Sequence, residues 1–122
     1  MIEHILIDVI PHKKQRYETV GDWQYSGDSI LVTVSDTGNV QYNMLIAIHE
    51  VVEAIACRLV GVPQDEVDLF DFAYAGSGEP GDQFDCPYYW EHQLATLVER
   101  AAAFFFKVNW QSYDDAINQL HR

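Results

Sequence analysis

The sequence predicts an α+β domain with strands first and helices after, on three observations. Apolar residues alternate at period two before residue 35 and recur at helical spacing after residue 40. Gly, Pro, Asn and Asp cluster where one pattern gives way to the next. The 122 residues are one domain's worth, with 1–38 as the β-rich part and 39–122 as the helical part.

Each element has its own signal. In residues 4–10, Ile5, Ile7 and Val9 share one face of a strand that Pro11 ends. Residues 12–16 then hold three of the seven basic residues. Trp23 to Tyr25 and Ile30 to Val34 flank Ser26-Gly27-Asp28-Ser29, a hairpin turn by composition. These segments predict a small antiparallel sheet of about three strands. Asp36-Thr37-Gly38-Asn39 is a second turn, and Asn39 is a good N-cap for a helix over 40–60 that Gly61 stops. Leu45, Ile48, Val52, Ile55, Ala56 and Leu59 are its expected inner stripe. A short acidic helix over 64–72 follows, with Val67, Phe70 and Ala73 inward, and then a loop over 76–85. Pro87 suits the first turn of a second long helix reaching Val108, antiparallel to the first, with Leu94, Leu97, Val98, Ala101 and Phe105 as its apolar arc. Ser112 and Asp115 suggest a cap for a last helix, Tyr113 to Leu120.

Composition narrows the function. Hydrophobic residues at 48% argue against disorder, and a net charge of −12 argues against direct nucleic-acid binding, which needs clustered Lys and Arg. The acid excess leaves a cation site, a basic partner or plain solubility. No apolar run is long enough to span a membrane, and Met1-Ile2-Glu3-His4 lacks the basic start of a signal peptide. Cys57 and Cys86 make no disulfide framework, so a reduced, cytoplasmic setting is expected.

Chemistry concentrates in His49-Glu50-Val51-Val52-Glu53. Positions 49 and 53 lie one helical turn apart, so an imidazole and a carboxylate can reach one metal ion from one face, with Glu50 beside them to hold a water. Such a pair is often just a hydrogen bond. The second long helix tips the balance toward a metal, because His92 and Glu99 stack on one flank of it. Neutral imidazole suits zinc, so the expected ligands are His49, Glu53 and His92, with Glu99 behind His92 as its orienting partner. Glu99, Glu91 and Asp71 stay open as alternative third ligands, although Glu91 reads better as a helix-start carboxylate. Asp65, Glu66, Asp68 and Asp71 read first as a solvated helix face. Cys57 reads as a small buried residue, and Cys86 as a thiol that a helix start could acidify. His4, His12 and His121 have no helical carboxylate partner, and Gly76-Ser77-Gly78 lacks the lysine of a phosphate loop.

Several strings recur together here: Ile10-Pro11-His12, Gln15-Arg16-Tyr17, Thr19-Val20-Gly21-Asp22-Trp23, the HExxE-Ala stretch, Phe70-Asp71, Glu79-Pro80-Gly81-Asp82, and Pro87-Tyr88 with His92 and Glu99-Arg100. Over nearly the whole chain they resemble a group of small uncharacterised proteins of bacteriophages and prophages. That resemblance implies a viral or prophage origin and a bacterial cytoplasm. More loosely, the HExxE helix resembles that of zincin-like metallopeptidases, which implies an edge strand ahead of the metal helix to hold an extended peptide, here Ile30 to Val34. Glu53 stands where zincins have His, and a carboxylate ligand makes a metal-bound water less acidic.

The function expected is thus a zincin-like, zinc-binding domain, with Glu50 as general base if it hydrolyses a peptide or related amide. The rival is a non-enzymatic acidic protein that meets a basic host protein by imitating nucleic acid. A magnesium phosphohydrolase would want acidic pairs such as Glu50-Glu53 and Glu91-Glu99, and the second pair is badly spaced. Trp110, Tyr113 and Phe104-Phe105-Phe106 exceed what one helix face buries, which suggests a homodimer.

Overall fold

The computed structural model describes residues 2–76 and 78–121; Met1, Arg122 and Ser77, the last within the expected 76–85 loop, lie outside the described residues. Strands β1 (His4–Ile10), β2 (Gly21–Ser26) and β3 (Ser29–Ser35) form one sheet. Helices α1 (Val40–Val60), α2 (Gln64–Ala73), α3 (Tyr89–Phe105) and α4 (Trp110–Leu120) follow, so the α+β class holds. None of these helices is long and apolar enough to cross a membrane.

The β2–β3 hairpin forms as expected, with Gly27 at φ 59° in its turn. β1 differs. The strand order is β1-β3-β2 and β1 runs parallel to β3, so the sheet is mixed rather than antiparallel. The cause is the connection over 11–20, too long for the tight loop of about two to five residues that joins neighbouring antiparallel strands. Gln15 pins that connection across the end of β3. Its amide donates to Ser35 Oγ at 3.1 Å, and its carbonyl accepts from Thr33 Oγ1 at 2.9 Å. Ile30–Val34 therefore lies in the central strand, paired on both sides, and cannot be the free edge expected to hold a substrate. The edge strand beside the helices is β2.

Ile30, Val32 and Val34 project from β3 at period two onto α1, where Leu45, Ile46, Ala54 and Cys57 meet them with Trp23 to form the core. The ends of α1 match expectation. Asn39 accepts a hydrogen bond from the Tyr42 amide, and Gly61 closes the helix at φ 91°, a left-handed conformation that glycine adopts without steric cost. α3 begins at Tyr89 rather than Pro87. It ends at Phe105 rather than Val108, because Lys107 turns left-handed at φ 60° and sends the Val108 amide back to Ala103 O. Asn109, not Ser112, caps α4: its side chain accepts from the Ser112 amide at 2.9 Å.

The largest departure is the rotation of α3. Its buried face is His92, Ala95, Glu99 and Ala103, while Leu94, Leu97 and Phe105 of the expected apolar arc are exposed. Ile55 and Leu59 of the α1 stripe are likewise exposed, whereas His49 and Glu53 are buried. Energy explains the choice. An unpaired buried carboxylate costs several kcal/mol. Leaving a leucine in water forfeits only about 1.5–3 kcal/mol. Once α1 buries His49 and Glu53, α3 must turn its polar line toward them.

Candidate metal centre

His49 and Glu53 sit one turn apart on α1, and His92 and Glu99 two turns apart on the facing side of α3. The helices run antiparallel, so His49 meets Glu99 and Glu53 meets His92. All four are only 4–7% exposed, too little for water to satisfy their charges. Three atoms converge: Glu53 Oε2 lies 3.1 Å from His49 Nε2 and 2.8 Å from His92 Nδ1, and the two ring nitrogens are 3.2 Å apart. A tetrahedral zinc ion with bonds of about 2.0–2.1 Å separates its ligand atoms by about 3.3–3.4 Å. The triangle is a slightly contracted face of such a site, and these residues form a group that could hold a metal ion.

Every member is held from behind. Glu99 Oε1 lies 2.8 Å from His49 Nδ1, and the Tyr113 hydroxyl donates to Glu99 Oε2 at 2.5 Å. The indole of Trp23 donates to Glu53 Oε1 at 2.9 Å. Beside His92 Nε2 lie Glu79 Oε2 at 2.9 Å and Asp82 Oδ1 at 3.2 Å. The backing carboxylate of Glu99 thus orients His49, not His92 as the sequence suggested.

The surrounding carboxylates draw protons onto the two imidazoles. Burial by itself would lower the His92 pKa, but the carboxylates of Glu53 and Glu79 overcome it and hold the ring at about 10. His49 is likewise raised well above its ordinary value, against burial, by Glu53 and Glu99. Burial would raise Glu53, yet the two imidazoles pull it down to about 2. Two imidazolium rings with nitrogens 3.2 Å apart are mutually repulsive. A single divalent ion would supply the same charge at one point.

Glu50, the expected base, faces the same cleft, a space of about 850 Å³ that Gly21, Trp23, Asp71 and Tyr88 also line. It fits because β2 carries glycine there: a Cβ on Gly21 would lie 2.7 Å from Glu50 Cγ. Burial first, then the nearby Glu53 charge, raises its pKa well above the ordinary value. It makes no hydrogen bond or ion pair within the described residues.

The remaining candidates sort cleanly. Asp71 lines the cleft but is held by Tyr17 and Tyr88, whose hydroxyls donate to it at 3.0 Å and 2.5 Å, and it stands outside the three-atom cluster. Glu91 is half-buried in the first turn of α3 and takes no part. Cys57 is buried as expected, while Cys86 is the reverse of an activated thiol, its pKa pushed by burial up to about 12. His12 and His121 both reach a loop carboxylate, Glu18, at 2.6 Å and 3.1 Å on the surface. Trp23, Tyr113, Glu79 and Asp82 were missed. The resemblance strings contain Trp23, Glu79 and Asp82 but gave none of them a role at the site.

Two expected results follow from these contacts. Asp71 is raised by burial, against its tyrosine hydrogen bonds, from 3.8 to about 6. Its folded pKa exceeds its unfolded one, so the stability it contributes is full below about pH 4 and is lost as pH rises through 6. Two pKa units correspond to roughly 3 kcal/mol. Asp71→Asn does not ionise, so urea unfolding at pH 4 and pH 7 should show the variant gaining up to about 3 kcal/mol on the parent; an unchanged gap would contradict the assignment. At Gly81 a Cβ would lie 2.3 Å from His92 Cγ. Gly81→Ala should displace that ring and weaken any divalent-ion binding at this cluster by about 10–100-fold in a titration, with the circular-dichroism spectrum retained.

Fold and site together define a class: an α+β domain whose two long helices bury a His/Glu cluster able to hold a metal ion. No protein family, curated protein or solved structure matches this chain.

Proposed function

We propose that this protein is a zinc-dependent hydrolase of zincin-like design acting on a peptide or related amide bond. The observation that carries this reading is the convergence of His49 Nε2, Glu53 Oε2 and His92 Nδ1, with no edge longer than 3.2 Å. A hydrogen-bonded pair needs no second imidazole aimed at the same carboxylate oxygen. Bound zinc would polarise a carbonyl and acidify a water. Glu50 makes no hydrogen bond or ion pair among the described residues, and its pKa, raised by burial, makes its carboxylate a stronger base. Glu99 and Trp23 hold His49 and Glu53 in register. The rival, an acidic mimic of nucleic acid, would display its carboxylates, whereas Asp22, Glu53, Asp71 and Glu99 are buried. A phage or prophage origin belongs to the same reading.

Elemental analysis of the untagged protein at pH 7.5 tests it: stoichiometric divalent metal and a thermal shift on adding zinc are expected, and the absence of both would sink the idea. The affinity should also depend on pH. The carboxylates raise both ring pKa values, so an ion on His49 Nε2 and His92 Nδ1 competes with protons for those nitrogens. Apparent zinc affinity should therefore rise as pH rises from 6 to 8. A flat profile in calorimetry would show that other groups bind.

A further inference from the structure

We propose a second, outer divalent-cation site on the opposite nitrogen of His92, formed by Nε2 with Glu79 and Asp82 at the mouth of the cleft. His92 is 4% exposed, and its Nε2 is wholly shielded from solvent. Glu79 Oε2 at 2.9 Å and Asp82 Oδ1 at 3.2 Å stand beside that nitrogen, but neither lies in line for a hydrogen bond, so it has none among the described residues. A buried nitrogen left without an aligned partner is costly, and a protonated ring could avoid that cost by turning toward either oxygen. That nitrogen instead faces the gap between two carboxylates, where a cation would sit. The three donor atoms lie within 4.8 Å of one another.

The local chain is shaped for this arrangement. Pro80–Asp82 forms a single 3-10 turn, and the missing side chain of Gly81 lets that turn press against the face of the ring. Gln93, the next residue on α3, donates to Asp82 Oδ1 at 3.2 Å and holds the carboxylate toward His92. One imidazole and two carboxylates form a donor set suited to zinc and related transition ions. The Glu79 and Asp82 side chains are more than half exposed, so water completes the shell and the ion exchanges with solvent. The outer site stands on these residues alone. That His92 bridges two ions, giving up both ring protons to solvent, rests in addition on the inner site proposed above.

Zinc titration of metal-free protein at pH 7.5, with metal counted after desalting, tests the outer site against the double variant Glu79→Gln/Asp82→Asn. Both substitutions are on exposed, isosteric side chains, so the fold is retained. Two ions in the parent and one in the variant support both sites. A single ion lost in the variant supports the outer site and overturns the inner one. A single ion kept by the variant, two ions in both proteins, or none in either overturns the outer site.

Discussion

Replacing His49 with alanine should destabilise the metal-free protein by about 3–5 kcal/mol and lower zinc affinity by more than about 100-fold. The imidazole stands between two buried carboxylates, Glu53 at 3.1 Å and Glu99 at 2.8 Å. Among the described residues, removing it leaves Glu99 with Tyr113, and Glu53 with Trp23 and His92. Breaking a buried pair from one side costs this much because the surviving charge stays in a medium that solvates it poorly. The loss in affinity should be at least this large, because removing an outer partner alone costs about 10–100-fold and His49 is a ligand of the proposed site. Urea unfolding in chelator isolates the first effect, and zinc titration the second. A variant that lost stability but kept full zinc affinity would show that the cluster is a structural ion-pair network.

Glu50→Gln separates chemistry from binding. Glutamine keeps the shape that Gly21 accommodates, and residue 50 is not one of the three converging residues. Metal content should be unchanged, and hydrolysis of a peptide or amide substrate identified with the parent protein should fall by about 10²–10⁴-fold. Stability should move the other way. The Glu50 pKa is raised in the fold, so its charged form is disfavoured as pH rises above the ordinary carboxylate range. The neutral glutamine should therefore make the variant more stable than the parent at pH 8, with the gap closing toward pH 4. Equal turnover in the two proteins would remove Glu50 as the base.

The helical pattern after Asn39 was legible because its causes are local. Asn39 caps α1 and Gly61 ends it, and His49 and Glu53 share a face at a spacing of one turn. The same periodicity put His92 and Glu99 on one flank of α3, which was sufficient to propose the ligand set. What misled was the assumption that the most apolar arc of each helix faces the core. Leu97 and Phe105 lie in solvent because His92 and Glu99 needed the inward position. Pairing of Glu99 with His49 rather than His92 was equally hidden, since it depends on how far α3 slides along α1.

The sequence by itself determined the class of fold, the helix limits at Asn39 and Gly61, the hairpin at Gly27, and the residue types from which a metal site could be built. Each of these follows from backbone preferences or from spacing within one segment. Tertiary structure alone decided that β1 pairs parallel with β3, that β2 is the edge beside the cleft, and that Trp23, Tyr113, Glu79 and Asp82 back the cluster. The physical reason is the same in each case. Unpaired charge in a core is costlier than an exposed leucine, and which distant groups relieve that charge depends on the packing of whole elements, to which no local pattern is sensitive.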